Sequence, residues 1–297
     1  PIDRRPRTAS TSWQPLARKS PANAYMGGQR QARLRTLRIC PNQLRKVKMQ
    51  VDVVMLAYTG SSDIYQMNAD AIQSLRASEP EIQFNVFLLE SNADFIHMGW
   101  RYDEATQVVY PREQFNFNRF NNIGMQLGNA KWVVFSNNDV IFHPGWFSAM
   151  MAVHAIQPRI RCFCPVDAVS KYTPAGTFGA DESFRIGHLV RVTFTGWCFA
   201  VQRSVLKEIG PFDERFDYYF ADDDFTMHLR KQDILNAAVP AAHVTHLAHV
   251  TSRKTSLDIS EKFKSDQKAF QNKWGSQRLI AWKNRLAEKV LRPLGLK

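Results

Sequence analysis

The sequence predicts an α/β fold built on a largely parallel sheet. Three observations carry the prediction. Strand-like apolar runs alternate with segments of helical spacing. Each run ends in a cluster of polar or turn-forming residues. The chain is also long and apolar enough, with 297 residues of which 44% are hydrophobic, to bury a large sheet between helices.

The elements follow in order. Residues 51–58, VDVVMLAY, read as a buried strand stopped by Thr59-Gly60-Ser61-Ser62. From Asp63 to Ala77, Ile64, Met67, Ala71, Ile72 and Leu75 recur at helical spacing, with Pro80 just beyond. Residues 84–89 form a second strand, ended by Glu90-Ser91-Asn92. The stretch 118–129 reads as a helix through Ile123, Met125 and Leu127. Residues 131–136 form a strand broken by Asn137-Asn138-Asp139, and His143-Pro144-Gly145 turns into a helix from Trp146 to Ala155. Residues 191–201 read as a strand with Gly196 inside it, where glycine marks a bulge or a close approach. Arg203 to Ile209 is a short helix closed by Gly210-Pro211. Asp217 to Arg230 holds Asp222-Asp223-Asp224 and runs into a helix, and residues 243–250 carry three histidines. Residues 259–292 have helical character, with aromatic residues among many Lys and Arg.

Composition excludes disorder, collagen and coiled coil. No apolar run approaches the ~18 residues a bilayer span needs, and no apolar segment follows the basic N-terminus, so no secretory signal is expected. Four cysteines are too few for a disulfide framework, and Cys162-Phe163-Cys164 lacks zinc or redox spacing. A reducing, cytoplasmic setting fits, with attachment to a membrane surface as the variant. The net charge of +12 is uneven. Residues 1–50 carry 12 Lys/Arg and one acid, residues 51–250 carry 15 against 22 acids, and residues 251–297 carry 12 against four. The basic balance therefore describes two tails around an acidic middle. Residues 1–48 are expected to be disordered. Met49 stands directly before the first strand, so the expectation is a non-native upstream extension with Met49 as the natural start. A basic arm for nucleic acid or acidic lipid is the competing reading.

In open α/β sheets ligands bind beyond the carboxyl ends of the strands. Three such ends deliver Thr59 and Ser61, Glu90 and Asn92, and Asn137 and Asp139. On residue type alone each cluster also serves as a turn. Three adjacent acids at 222–224 equally suit a helix N-terminus, where they complement the dipole.

Four blocks in order, the first strand VDVVMLAY, LLESN, NRFNNIGMQLGNAKWVVFSNNDVIFHPGW and GWCFAVQRSVLKEIGPFDERFDYYFADDDF, resemble the family 2 glycosyltransferases of the GT-A fold. The likeness is in particular to bacterial and viral members related to rhamnosyltransferases, and it spans about residues 51–250. It implies a GT-A domain at 49–250 with a helical extension at 251–297. It also implies inverting, metal-dependent transfer of a sugar from a nucleotide-sugar donor to a hydroxyl-bearing acceptor: a glycan, a lipid-linked sugar or a modified nucleobase.

The resemblance assigns roles. Asn137-Asn138-Asp139 stands where the family has its metal motif. It makes Asp139 a ligand of Mn²⁺ or Mg²⁺, with Asn137 in place of the first acid. His246 is a further ligand candidate, since neutral imidazole suits Mn²⁺; on a strand, His243 and His249 would face away from it. Asp222 is the expected general base, with Asp223 as the other choice because Ala221 stands where the family has Glu. Ala57, Tyr58, Thr59, Ser61, Glu90, Asn92 and Asn138 are assigned to the nucleotide and donor. Asn118 and Asn122 either reach the donor or cap a helix. Gly196 and Trp197 fall at the acceptor pocket, or in the core.

The basic tail suits packing on the domain, an anionic membrane surface or DNA phosphates. The alternative function is a nucleic-acid-binding protein with a non-catalytic GT-A-like domain. A nucleotidyltransferase shares strand-end acids and a metal, but GPFDERF does not suit it.

Overall fold

The apolar run after Lys48 becomes β1 (Met49–Ala57), and its alternation builds both faces of the core. Val51, Val53 and Met55 point to one layer and Val54 to the other. The computed structural model describes residues 48–167, 178–216, 219–247 and 259–275. The expected extension before Lys48, His249, and the tail beyond Gly275 lie outside the described residues.

α1 (Ser62–Ser78) starts on a Ser61 cap, and β2 (Ile82–Glu90) follows. A 3₁₀ turn at Ala93–Met98 leads to the short edge strand β3 (Thr106–Val109). α2 (Phe117–Met125), β4 (Trp132–Asn137), β5 (Val140–Phe142), α3 (Trp146–Ile156) and β6 (Ile160–Asp167) come next. Then follow β7 (Arg185–Ile186), β8 (Cys198–Gln202), α4 (Arg203–Ile209), α5 (Ala221–Lys231), β9 (Leu235–His246) and α6 (Ile259–Trp274).

The strands form one sheet in the order β3-β2-β1-β4-β8-β6-β9-β5, with β7 also on β9. β1 pairs parallel with β2 and β4, and β2 with β3. The expectation of a largely parallel sheet holds for this half; the other half is mixed, with β6 parallel to β9. β8 pairs antiparallel with β4 and β6, and β5 and β7 pair antiparallel with β9. Parallel neighbours need a crossover, and the strand–helix alternation that supplies one is clear only as far as β4. One face of the sheet buries Ile72 and Leu75 of α1 with Trp146, Phe147 and Met150 of α3. The other buries Phe120 of α2, Leu206 of α4, and Phe225 and Leu229 of α5.

Two expected elements are corrected. The strand at 191–201 is confined to Cys198–Gln202. Before it, Val192, Thr193 and Phe194 all donate backbone N–H bonds to the Leu189 carbonyl, and Arg191 is left-handed at φ 66°. The apolar pattern there belongs to a turn whose Phe194 ring packs on Phe199 and Phe225. The helix at 118–129 stops at Met125. Gly128 has φ 69°, and a Cβ on it would lie 2.3 Å from Asp52 Oδ2.

That carboxylate is fully buried and tied down. It accepts from Ala130 N at 2.7 Å and Asn85 Nδ2 at 2.9 Å, and pairs with Arg203 Nη2 at 2.6 Å. Arg203 also donates to the carbonyls of Ala130, Met125 and Leu127. One ion pair thus fastens α4 and the α2–β4 connection to β1.

Candidate active site

The carboxyl ends of β1 and β2 are joined by Glu90. Its Oε2 accepts from Thr59 Oγ1 at 2.6 Å, and its Oε1 accepts from Thr59 N at 3.1 Å and Asn92 N at 2.7 Å. Burial raises the Glu90 carboxyl above its ordinary value, against the pull of these donors. Asn92 donates to the Thr59 carbonyl at 2.6 Å and caps the 3₁₀ turn. The Ala57 carbonyl accepts from Ser91 N and Oγ. Ser61 Oγ faces Ile64 N at 3.4 Å as the cap of α1, whereas the Tyr58 ring at the same strand end is 52% exposed.

From Thr59 the contacts continue inward. Asn68, fully buried on α1, donates to Thr59 Oγ1 at 2.8 Å and to the Tyr102 hydroxyl at 2.9 Å. Its Oδ1 accepts from Asn138 Nδ2 at 2.7 Å. Burial pushes the Tyr102 phenol up to about 12, so it stays protonated. Neither Asn68 nor Tyr102 stands out in the sequence. The only signal is that Asn68 interrupts the apolar face of α1.

Asp139 follows Asn138 in the turn between β4 and β5. Pairing of Val140 with His246, and the Leu247 N–H on the Asp139 carbonyl at 2.9 Å, bring the end of β9 alongside it. Asp139 Oδ1 and His246 Nε2 lie 3.2 Å apart, within ion-pair distance; both atoms are buried, and neither makes a well-directed hydrogen bond. Two buried polar atoms left in this state are costly. Ligands at neighbouring positions of an octahedral cation, each about 2.1 Å from it, lie about 3 Å apart. The residues therefore fit a divalent cation. No group of three or more His, Cys, Asp or Glu gathers for a metal among the described residues, so at this point they bring together two, Asp139 and His246. His243 is exposed on the same strand. The Trp197 ring stacks on His246 with centroids 4.9 Å apart and planes at 12°, and the Trp197 carbonyl accepts from Asn137 N at 2.8 Å.

Gly196 leads from Trp197 to the acids. A Cβ on it would lie 2.8 Å from the Asp222 Cβ, so the two backbones meet closely. Phe220, left-handed at φ 61°, starts α5 just before them. Burial raises the Asp222 and Asp223 carboxyls, and the Asp222 charge adds to the effect on Asp223, which reaches about 7. Arg191 draws both down.

Asp224 turns away from these two. Its Oδ1 accepts from Trp274 Nε1 at 2.6 Å and pairs with Lys273 Nζ at 2.8 Å. Lys273 also pairs with Asp213 at 2.7 Å and donates to His228 Nε2 at 3.2 Å. Arg215 and Lys273 hold the Asp213 carboxyl well below its usual range. The third acid thus anchors α6, whose Phe270 packs on Phe216 and Phe220.

Asn118 and Asn122 do not cap α2, since Asn116 does. Asn118 donates to the Asp213 carbonyl at 2.8 Å. Asn122 donates to the Phe212 carbonyl at 2.9 Å and accepts from Phe212 N at 2.7 Å. Both hold the 211–216 loop. Several of the expected residues, linked by the unexpected Asn68, form one run from Glu90 through Thr59, Asn68, Asn138, Asp139, His246, Trp197 and Gly196 to Asp222.

This is the fold of the GT-A glycosyltransferases. The crystal structure of GalNAc-T7 with UDP, GalNAc and Mn²⁺ superposes with a TM-score of 0.56, covering 71% of this chain and 46% of that one at 12% identity. In sequence, the N-acetylglucosaminyl-diphospho-decaprenol L-rhamnosyltransferase of Mycobacterium tuberculosis, strains CDC 1551 / Oshkosh and ATCC 25618 / H37Rv, is 27% identical over 162 aligned positions. The alignment covers 45% of this chain and 53% of the relative, so the chain spans about half the length of the curated relatives it matches. No family model matches. Fold and sequence likeness both support the resemblance to family 2 GT-A glycosyltransferases.

Proposed function

We propose that this chain moves a glycosyl unit from a nucleoside-diphosphate sugar to an acceptor hydroxyl, with inversion and with a divalent cation, Mn²⁺ or Mg²⁺. The observation that carries the reading is the buried pair Asp139 Oδ1 and His246 Nε2, 3.2 Å apart and without well-directed hydrogen bonds. These two residues would hold the cation, with Asn137 at the edge of the site. A cation bound there supplies positive charge to the departing diphosphate.

The chain's own residues do the rest. Thr59, Glu90 and Asn92 fix the strand ends that receive the nucleoside, and Tyr58 offers an exposed aromatic face to the base. Asp222, with Asp223 beside it, takes the proton of the acceptor hydroxyl. The acceptor oxygen then bonds to the anomeric carbon on the face opposite the diphosphate. The bond from that carbon to the diphosphate oxygen breaks, and its electron pair leaves with the nucleoside diphosphate. The raised pKa values of the two acids support the role of base near neutral pH.

The name of the mycobacterial relative describes a lipid-linked diphospho-sugar acceptor, and a lipid-linked acceptor is the first to try here. A membrane surface is a compatible setting, with Lys264 and Lys268 exposed on α6. Among the described residues no helix is long and apolar enough to cross a membrane.

The test is thermal stabilisation by UDP, GDP, dTDP and CDP, each with and without Mn²⁺. A Mn²⁺-dependent rise with one nucleotide, lost in Asp139→Ala, is expected. No rise with any nucleotide overturns the reading in favour of a non-catalytic nucleic-acid-binding domain, and DNA is then the next ligand to titrate.

A further inference from the structure

Histidines that ligate metals are almost always oriented by a hydrogen bond from their second ring nitrogen to a carboxylate, a carbonyl or water. For His246 no such protein partner is found among the described residues. An aromatic face takes its place. The Trp197 indole lies on the imidazole at 4.9 Å with the planes only 12° apart. Two flat rings in this relation restrict rotation of the smaller one about its Cβ–Cγ bond, because turning it drives its edge into the larger ring.

Trp197 is itself held against the other ligand's turn. Its carbonyl accepts the Asn137 N–H at 2.8 Å. The backbone of His246 is held by pairing with Val140, and Leu247 N binds the Asp139 carbonyl at 2.9 Å. The backbones of both ligands are therefore fixed, and what remains is the side-chain torsions, those of the His246 ring among them. Trp197 is what limits that ring.

We propose that Trp197 is a positioning residue of the cation site, holding the His246 ring so that Nε2 faces Asp139 Oδ1. This rests on the cation reading above. It differs from an acceptor-pocket role, in which the indole would stack on the incoming sugar and leave cation affinity unchanged.

The experiment measures Mn²⁺ affinity of the full chain without nucleotide, by electron paramagnetic resonance of free Mn²⁺. Melting curves accompany every variant. Trp197→Phe keeps a flat ring, and Trp197→Met fills the space without one. Loss of an orienting partner costs about 10–100-fold in metal affinity. Trp197→Met is expected to weaken Mn²⁺ binding by about tenfold or more, and Trp197→Phe by much less. Equal affinity of Trp197→Met and the natural chain overturns the proposal, provided His246→Ala abolishes the same binding. Binding that survives His246→Ala, or no binding by the natural chain, overturns the cation reading and this proposal with it. A second readout serves if Trp197→Met does not melt cooperatively. Paramagnetic Mn²⁺ beside the stack should quench the Trp197 fluorescence, so Trp197→Phe should lose a distinct part of the Mn²⁺-dependent quenching. Undiminished quenching in Trp197→Phe overturns the proposal.

Discussion

Gly196 leaves no room for a side chain against Asp222. A Cβ there would lie 2.8 Å from the Asp222 Cβ and 3.2 Å from its Oδ2, at a point where the Asp222 backbone is already fixed in the first turn of α5. Gly196→Ala should displace the carboxylate by a fraction of an ångström or more. Misplacement by about 1 Å costs on the order of 100-fold in rate. Turnover is expected to fall by about 10–100-fold while nucleotide affinity holds within about twofold. Isothermal titration beside a turnover assay checks both, and unchanged turnover would remove Asp222 from the chemistry.

The acid pair also sets a pH dependence. Asp223 reaches about 7 through burial and the Asp222 charge. The base must be ionised, so with Asp222 in that role kcat/KM should rise with pH above the ordinary carboxylate range and then level off, whereas a rise centred near 7 would assign the role to Asp223. Stability should move the other way. Both carboxyls have folded values raised above their unfolded ones, so the folded state holds more protons between the ordinary carboxylate range and about 7. Stability from this source is full below that window and is lost as pH rises through it. Asp223→Asn should therefore melt higher than the natural chain at pH 8 and little differently at pH 4.

The two neighbouring acids divide, and Asp222→Asn against Asp224→Asn separates them. Asp222→Asn should abolish turnover with folding intact. Asp224→Asn should keep measurable turnover while lowering the melting temperature, because Asp224 binds Lys273 and Trp274. Lys273→Met should be more damaging still. It leaves Asp224, whose side chain is 3% exposed, without its cation. Removing one partner of a buried pair costs about 3–5 kcal/mol, and the double variant Asp224→Asn, Lys273→Met should recover part of it. Urea denaturation of the three chains is the measurement.

Arg203→Met tests the fastening of the sheet. It strips Asp52 of its ion-pair partner and frees the Ala130, Met125 and Leu127 carbonyls. A loss of about 3–5 kcal/mol is expected, read as a shift in urea midpoint. Arg203→Lys should recover little of it, because an ammonium cannot match the guanidinium fork.

The parallel half of the sheet was legible because β1, β2 and β4 are buried and read as nearly unbroken apolar runs. β3 has four residues at an edge and β5 has three, too short for a periodic signal. β6 holds Cys162 and Cys164, whose spacing already spoke against a zinc or redox site. Their side chains are buried between strand neighbours, and burial pushes the Cys164 thiol up to about 12. In the candidate site, Asp139 and the acid cluster drew attention through their places in the ordered blocks, and His246 through its place after the last strand. Which of three adjacent acids is structural was not, because the answer comes from a helix about 50 residues further on. Asn118 and Asn122 were unreadable for the same reason, since their partners lie 90 or more residues away.

The grip of Lys273 and Trp274 on Asp224 also sets how far the chain can be shortened. Deleting residues 276–297 removes neither of those side chains, nor Phe270 on Phe216 and Phe220. Deleting everything from Ile259 onward removes all three and uncovers a carboxylate two positions from the proposed base. A truncation series should therefore show a step rather than a slope, with soluble, active protein down to Gly275 and aggregation once Trp274 is cut away.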